Sequence, residues 1–279
     1  MAGNRKTLVV GAALSLAFSL AGCESMSGPS GSAGPGYAET SAADPAATAA
    51  NIDSLSKVIE RNPSDPEAYN TRGVAYAKIG RFDSAVGDFS QAVKLDPHHA
   101  SAYTNRALAY RQTGQNDAAL ADFTHAIEAN PNHAQAYLGR ANLLRAQGSL
   151  DPAHRDLDQA IRLNPENAQA FHARGLIYQK QGDNQRAVTD FDNAIDRDPF
   201  AAAPYQARGQ SLLALRQYDK AIEDFNAALN VNNRNADAWA GLGLAYEKKG
   251  DRSKAAQNYQ RALSLNPNDP VARAGAGRV

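Results

Sequence analysis

The chain has 279 residues, 21% charged, 43% hydrophobic and only 7% aromatic, with 29 basic residues against 29 acidic and a single cysteine. Zero net charge excludes a basic nucleic-acid binder held by phosphate neutralisation, and it excludes a highly charged disordered chain. The lone cysteine excludes an intrachain disulfide and cysteine-based zinc or iron–sulfur sites. So many alanines beside so few large side chains point to closely packed helices.

In chain order, Arg5 and Lys6 precede an uncharged stretch from Thr7 to Gly22 that carries Leu8, Val9, Val10, Leu14, Leu16, Phe18 and Leu20. A basic start, a short apolar run and small residues read as a secretory signal over 1–22. The run is shorter than the roughly 20 apolar residues of a membrane span. It ends in Leu20-Ala21-Gly22-Cys23, which resembles the lipobox of bacterial lipoproteins. That resemblance implies cleavage before Cys23, a diacylglyceryl thioether on Cys23 and acylation (palmitate) of its new amino group. Glu24 follows where the family's inner-membrane retention signal has Asp, so the expectation is a lipid anchor in the outer membrane, facing the periplasm. Cleavage also removes Arg5 and Lys6. The remaining chain is slightly acidic, and lipid rather than charge must hold it to the bilayer.

The segment 23–43 is rich in Ser, Gly, Pro and Ala, has no apolar period and reads as a flexible tether. Twenty such residues reach roughly 25 Å on average and about 65 Å extended. Asp44-Pro45 then reads as a helix cap plus first-turn proline. Ile52, Leu55, Val58 and Ile59 share one face of an expected helix at 45–61, the core of a capping half-repeat over 44–65.

From there a 34-residue period organises the chain. Prolines recur at Pro63, Pro97, Pro131, Pro165, Pro199 and Pro267, with Asn233 in the skipped place. Units starting at 66, 100, 134, 168, 202 and 236 carry an aromatic at the fourth position: Tyr69, Tyr103, Tyr137, Phe171, Tyr205, Trp239. The eighth is Gly or Ala. The twentieth and twenty-seventh are always Ala. The twenty-fourth is Phe89, Phe123, Leu157, Phe191, Phe225 or Tyr259. Gly80, Gly114, Gly148, Gly182 and Gly250 fit the end of each unit's first helix, with Arg216 in the fifth. Asp83, Asp117, Asp151 and Asp219 are expected to cap the second helices. This pattern resembles the tetratricopeptide repeat family over 66–269. The resemblance implies an all-α, right-handed superhelical solenoid of helical hairpins, units 66–99, 100–133, 134–167, 168–201, 202–235 and 236–269. In the tail at 270–279, Gly275 and Gly277 are expected to leave the C-terminal cap frayed.

Position seven reads Arg72, Arg106, Arg140, Arg174, Arg208, then Leu242. Position twenty-three reads Asp88, Asp122, Asp156, Asp190, Asp224, then Asn258. The two charges occur together five times and vanish together in the sixth unit. The expectation is a partly buried ion pair within each unit. The alternatives are pairing with the preceding unit's Asp, which would leave Arg72 facing Ser54, or exposed charges at inherited positions.

No catalytic constellation stands out: there is no phosphate-cradling Gly-rich loop, no Gly-x-Ser-x-Gly and no free thiol after lipidation. His98, His99 and His133 lie near turns and read as solvated, so neither metal nor cofactor is expected. The family's working surface is the concave face of the first helices. Its fifth, ninth and twelfth positions are here Asn70, Val74, Ala77; Thr104, Leu108, Arg111; Leu138, Asn142, Arg145; His172, Leu176, Gln179; Gln206, Gln210, Leu213; and Ala240, Leu244, Glu247. Mixed amide, basic and apolar groups suit an extended peptide or a partner helix, with Arg111 and Arg145 able to take a carboxylate. The clamp of the family's chaperone-binding members is absent: Gln135, Gly139 and Val74 stand where it has Lys, Arg and Asn.

The resemblance to bacterial repeat-bearing lipoproteins implies a non-enzymatic, lipid-anchored periplasmic adaptor that binds protein or peptide partners and no nucleic acid. Among such proteins some scaffold peptidoglycan hydrolases and proteases in support of envelope integrity, and others are pilotins for pilus secretins. A self-associating envelope component that extends through its C-terminal end stays open as well, as does an enzyme using the groove as its site.

Overall fold

The computed structural model describes residues 45–279. Cys23, the signal segment, the tether and Asp44 lie outside the described residues. Within them the chain forms fourteen α-helices and no strand. A single helix α1 (Pro45–Arg61) precedes six hairpins: α2 (Pro66–Lys78) with α3 (Phe82–Leu95), α4 (Ala100–Gln112) with α5 (Asn116–Ala129), α6 (Ala134–Ala146) with α7 (Leu150–Leu163), α8 (Ala168–Lys180) with α9 (Asn184–Arg197), α10 (Ala202–Ala214) with α11 (Tyr218–Val231), and α12 (Ala236–Lys249) with α13 (Arg252–Leu265). A short α14 (Pro270–Ala276) closes the series. No helix among the described residues is long and apolar enough to cross a membrane.

Local chemistry sets the helix ends. Each second helix stops two residues before the period-ending proline or its Asn233 substitute; a proline pushes the residue before it out of the helical region, and Asn232 takes the same extended conformation (φ −139°, ψ 94°) without one. Asp96, which precedes Pro97, is extended at φ −131°, ψ 97°. The first helices end on a left-handed residue: five glycines with φ between 74° and 92°, and Arg216 at φ 59°. A side chain in that region is strained by crowding between Cβ and the following carbonyl.

Two sequence expectations need correcting. Asp83, Asp117, Asp151 and Asp219 are not caps: their helices begin one residue earlier, so they sit inside the first turn, where they face the positive end of the helix dipole. Side-chain caps on second helices come two positions earlier, from Asp183 and Asp251, which accept from the Arg186 and Lys254 backbone N–H groups. In α1, Ile59 is buried but Val58 is exposed, since α2 covers only the stripe through Ile52, Leu55 and Ile59.

The core is a column of five aromatic rings and one leucine. Phe89, Phe123, Leu157, Phe191, Phe225 and Tyr259 are all fully buried, and the alanines at positions twenty and twenty-seven beside them are at most 1% exposed. Glycines make room for these rings at the eighth position of the same unit (Gly73, Gly175, Gly209 and Gly243) and at the sixth position that follows (Gly139, Gly241 and Gly275). Phe225 shows the constraint: a Cβ added at Gly209 would stand 3.1 Å from the ring, and one at Gly241 only 2.5 Å. The Gly241-x-Gly243 pair is therefore two adjacent slots, one for Phe225 and one for Tyr259.

The same device overturns the expected frayed end. A Cβ at Gly275 would stand 2.1 Å from Tyr259, so this glycine lets α14 close down on the last ring instead of breaking the helix. Ala272 is fully buried, and Asp269 caps α14 through the Ala272 N–H at 2.7 Å.

Consecutive first helices touch one another, whereas no two second helices do among the described residues. A stack whose elements meet along one side and splay along the other curves toward the side that meets. The first helices line the inside of that curve.

Candidate functional site

Between the units runs a polar seam. Each Arg at position seven donates through Nε and Nη2 to both carboxylate oxygens of the Asp sixteen residues on, in its own unit. The distances are 2.6–2.9 Å in all five pairs, Arg72–Asp88, Arg106–Asp122, Arg140–Asp156, Arg174–Asp190 and Arg208–Asp224. The five Asp residues are buried. Each guanidinium also lies 5.5–5.9 Å from the ring centre of the aromatic three residues before it.

The sequence reading missed a third contact. The remaining Nη1 donates at 2.5–3.3 Å to position twenty-five of the preceding unit: Ser56, Ser90, Thr124, Asp158 and Asp192 in turn. One arginine thus holds its own hairpin closed and staples it to the one before. The hydrogen bond to the Asp carboxylate holds each of these guanidinium groups above its ordinary range. Burial pushes Asp224 up, and the nearby Asp192 adds to this against the pull of Arg208.

On the outer side, a surface cavity of about 450 Å³ lies over Arg208, and an equivalent one of about 270 Å³ lies over Arg140. Their charged floors are these already bonded pairs. A further unforeseen chain sits there: Tyr178 Oη bonds His154 Nε2 at 2.9 Å, His154 Nδ1 lies 3.3 Å from Asp158, and Asp158 accepts from Arg174. The Arg186 guanidinium covers the Tyr178 ring at 4.6 Å.

The first-helix face differs from its sequence reading. Asn70, Thr104 and Asn142 are buried, not open to the groove. Asn70 accepts from Asn105 of the next unit, and Thr104 turns its hydroxyl onto Ala100 O of its own helix. Gln179 donates to Ala207 O and Ser211 Oγ at 3.0 Å each, and Gln206 accepts from Asn235. Glu247 accepts both Arg278 from the tail and the Tyr259 hydroxyl. The Arg278 hydrogen bond holds its carboxyl below the usual range. For Asn70, Gln179, Gln206 and Glu247 the physical reason is shared: small residues bring neighbouring helices so close that a polar side chain at the junction reaches the following segment before it reaches solvent, whereas Thr104 folds back onto its own helix.

What is left facing the groove is narrower. Gln210 is exposed, and Arg111, Arg145 and His172 are part-buried. Burial, and then the Arg145 charge, pushes His172 down to about 4, so its imidazole is neutral at pH 7. The turn histidines do not converge on a metal site. His99 caps α4 and meets Glu67 at 3.0 Å, His98 is exposed, and among the described residues no group of three or more His, Cys, Asp or Glu is placed to hold an ion.

Family models decide the identity of this architecture. The tetratricopeptide repeat model matches 52–100, 70–134, 104–153 and 207–270, and two further models of the same repeat match 141–182 and 168–200. The chain belongs to the tetratricopeptide repeat family. Among solved structures, the repeats superpose on a chain of the APC/C hetero-tetramer Cut9–Hcn1 with a TM-score of 0.72 at 21% identity, over 83% of this chain and 45% of that one, so the chain spans under half of that neighbour. They match Pseudomonas aeruginosa pilF with a TM-score of 0.71 at 18% identity over 79% of this chain and all of the other. They match YrrB, described as having an unusual peptide-binding site, with a TM-score of 0.58 at 23% identity over 68% of this chain and 97% of that one. At these identities the likeness shows the fold: the all-α, right-handed solenoid of helical hairpins. No curated protein sequence matches the chain. A tetratricopeptide array is a protein-interaction scaffold, and that coarse function holds here.

Proposed function

We propose that the chain is a lipid-anchored periplasmic adaptor that holds partner proteins along its first-helix face and so supports the cell envelope, for example by recruiting wall-processing enzymes. The observation that carries the interaction half is the contrast between the two faces. The outer cavities have floors of mutually satisfied ion pairs, whereas the inner face keeps Arg145 and Gln210 without a hydrogen-bonding partner among the described residues. Leu176 lies between them in sequence and is only part-buried, so the face mixes grip for backbone with apolar surface. The address half rests on Leu20-Ala21-Gly22-Cys23 alone.

Two experiments test the halves separately. Photo-crosslinking from position 210 in intact cells, read by mass spectrometry, is expected to capture a small set of envelope proteins. Capture of a secretin alone moves the reading to a pilotin-like assembly factor. Cys23→Ser is expected to shift the protein from the membrane to the soluble fraction; retention in the membrane removes the lipid anchor. End-to-end self-association would have to use the outer face of α14, where Val271 is exposed, since its inner face is packed on Tyr259.

A further inference from the structure

Six side chains share the twelfth position of their units, where one first helix meets the next: Ala77, Arg111, Arg145, Gln179, Leu213 and Glu247. Gln179 shows how the array satisfies a polar group there. Its amide donates to the backbone of Ala207 and the hydroxyl of Ser211, the sixth and tenth residues of the following unit. For Arg145 the corresponding tenth residue is Ile177, which is fully buried and offers no acceptor. Arg145 Nε is accordingly sealed from solvent with no hydrogen-bond partner, and it is the only buried side-chain nitrogen or oxygen in that state among the described residues.

A buried cationic donor without an acceptor is costly, and native chains keep few of them. Burial alone lowers Arg145 from its ordinary range, with no carboxylate to raise it, in contrast to the five stapling arginines. Beside it stands His172, uncharged at neutral pH, with its ring 5.7 Å from Phe191. The junction of α6 and α8 therefore presents a guanidinium fork, a neutral imidazole with one donor and one acceptor, and no paired acid.

We propose that Arg145 and His172 form a subsite for the carboxylate of an acidic side chain carried by an extended segment of the partner. This deepens the reading of the first-helix face as a holder of protein segments and rests on it. An Arg fork and a carboxylate make paired, charge-assisted hydrogen bonds, and with Nε sealed the incoming oxygens meet the remaining N–H groups of the part-buried guanidinium. Two whole units precede the unit of Arg145 and two follow the unit of His172, so a bound segment runs past the subsite on both sides. An internal Asp or Glu side chain fits that placement better than a chain terminus. Bound carboxylate also offsets the Arg145 charge that disfavours imidazolium, so the His172 ring reports occupancy.

The test uses the full chain in detergent micelles, with blocked tripeptides acetyl-Ala-Glu-Ala-amide and acetyl-Ala-Gln-Ala-amide as probes, followed by NMR of the arginine Nε–H and histidine ring signals. The Glu peptide is expected to shift the Arg145 and His172 signals and to raise the titration midpoint of His172, with about a tenfold preference over the Gln peptide. Arg145→Gln, which installs the side chain found at Gln179, is expected to abolish that preference while the melting midpoint stays put or rises. Arg145→Lys, which keeps the charge but loses the fork, is expected to retain a weakened preference. Equal response to both peptides overturns the carboxylate subsite and leaves the peptide-holding face standing. No response of any first-helix signal to either peptide overturns both. A melting midpoint lowered by Arg145→Gln assigns Arg145 a structural role and sinks the proposal.

Discussion

The first five units and the sixth solve the same packing problem with different chemistry. In the five, an Arg–Asp pair bridges the two helices and reaches back to the preceding unit. In the sixth, Leu242 takes the arginine's place, 3% exposed in the apolar cluster around Phe225 and Leu229, and Asn258 bonds its own helix at Lys254 O. The hairpin α12–α13 closes as the others do. A buried ion pair is therefore not required to hold this hairpin. That agrees with the general finding that desolvation offsets most of the attraction, while loss of one partner strands a buried charge. The pairs are better read as devices that fix which helix meets which, at a 34-residue spacing where neighbouring units otherwise look alike.

The sharpest way to break the comparison is to remove one charge. Arg140→Leu leaves Asp156 buried and unpaired and is expected to cost about 3–5 kcal/mol in denaturant unfolding. Adding Asp156→Asn copies the sixth unit and is expected to recover most of that loss. The reverse graft, Leu242→Arg with Asn258→Asp, should leave stability within about 1–2 kcal/mol of the parent. Plain additivity of the Arg140 and Asp156 effects would sink the pairing account.

A second difference is acid sensitivity. His172 in the fourth unit is held down to about 4 by burial and by Arg145, against an ordinary value near 6.5. Below its unfolded value the unfolded chain binds the extra proton, so stability falls as pH drops from about 6.5 and levels off below about 4. The full effect is about 3 kcal/mol at most. Hydrogen exchange is expected to show α8 and α9 loosening over that interval while α12 and α13 do not follow through this group. His172→Gln should flatten the response, and an unchanged pH profile in that variant would remove His172 as its source.

The smallest effect concerns the fifth unit, whose first helix ends on Arg216 where the other five units have glycine. Arg216→Gly relieves the strained conformation at some cost in unfolded-chain entropy and is expected to stabilise by about 0.5–1 kcal/mol in thermal unfolding. A loss of stability would mean that the Arg216 side chain contributes more than its backbone strain costs.

Much of this was legible beforehand because a repeat is its own alignment. The joint loss of Arg and Asp in the sixth unit pointed to a contact at a separation of sixteen residues. Fully conserved spacing of rings and small residues pointed to the slots. The third arm of each arginine was not legible, because position twenty-five changes from Ser to Thr to Asp and shows no co-variation while the arginine stays constant. The groove was misread at Asn70, Thr104, Asn142, Gln179 and Glu247 for a related reason: a single-unit pattern says which way a helix face points, but not how near the next helix stands. The glycine at 275 was misread because helix propensity is a local quantity and the approach of Tyr259 is not.

Sequence by itself determined the 34-residue unit, the helix pairs within it and the column of large apolar side chains, and it favoured the own-unit Asp as the arginine's partner among open alternatives, since these follow from local propensity and from positions repeated at constant spacing. Only the tertiary structure decided which polar side chains spend themselves on the adjoining unit and which one, Arg145, is left with a buried donor and nothing to give it to. That outcome depends on distances of a few ångströms between helices far apart in the chain, and such distances are set by the packing of every small residue in between.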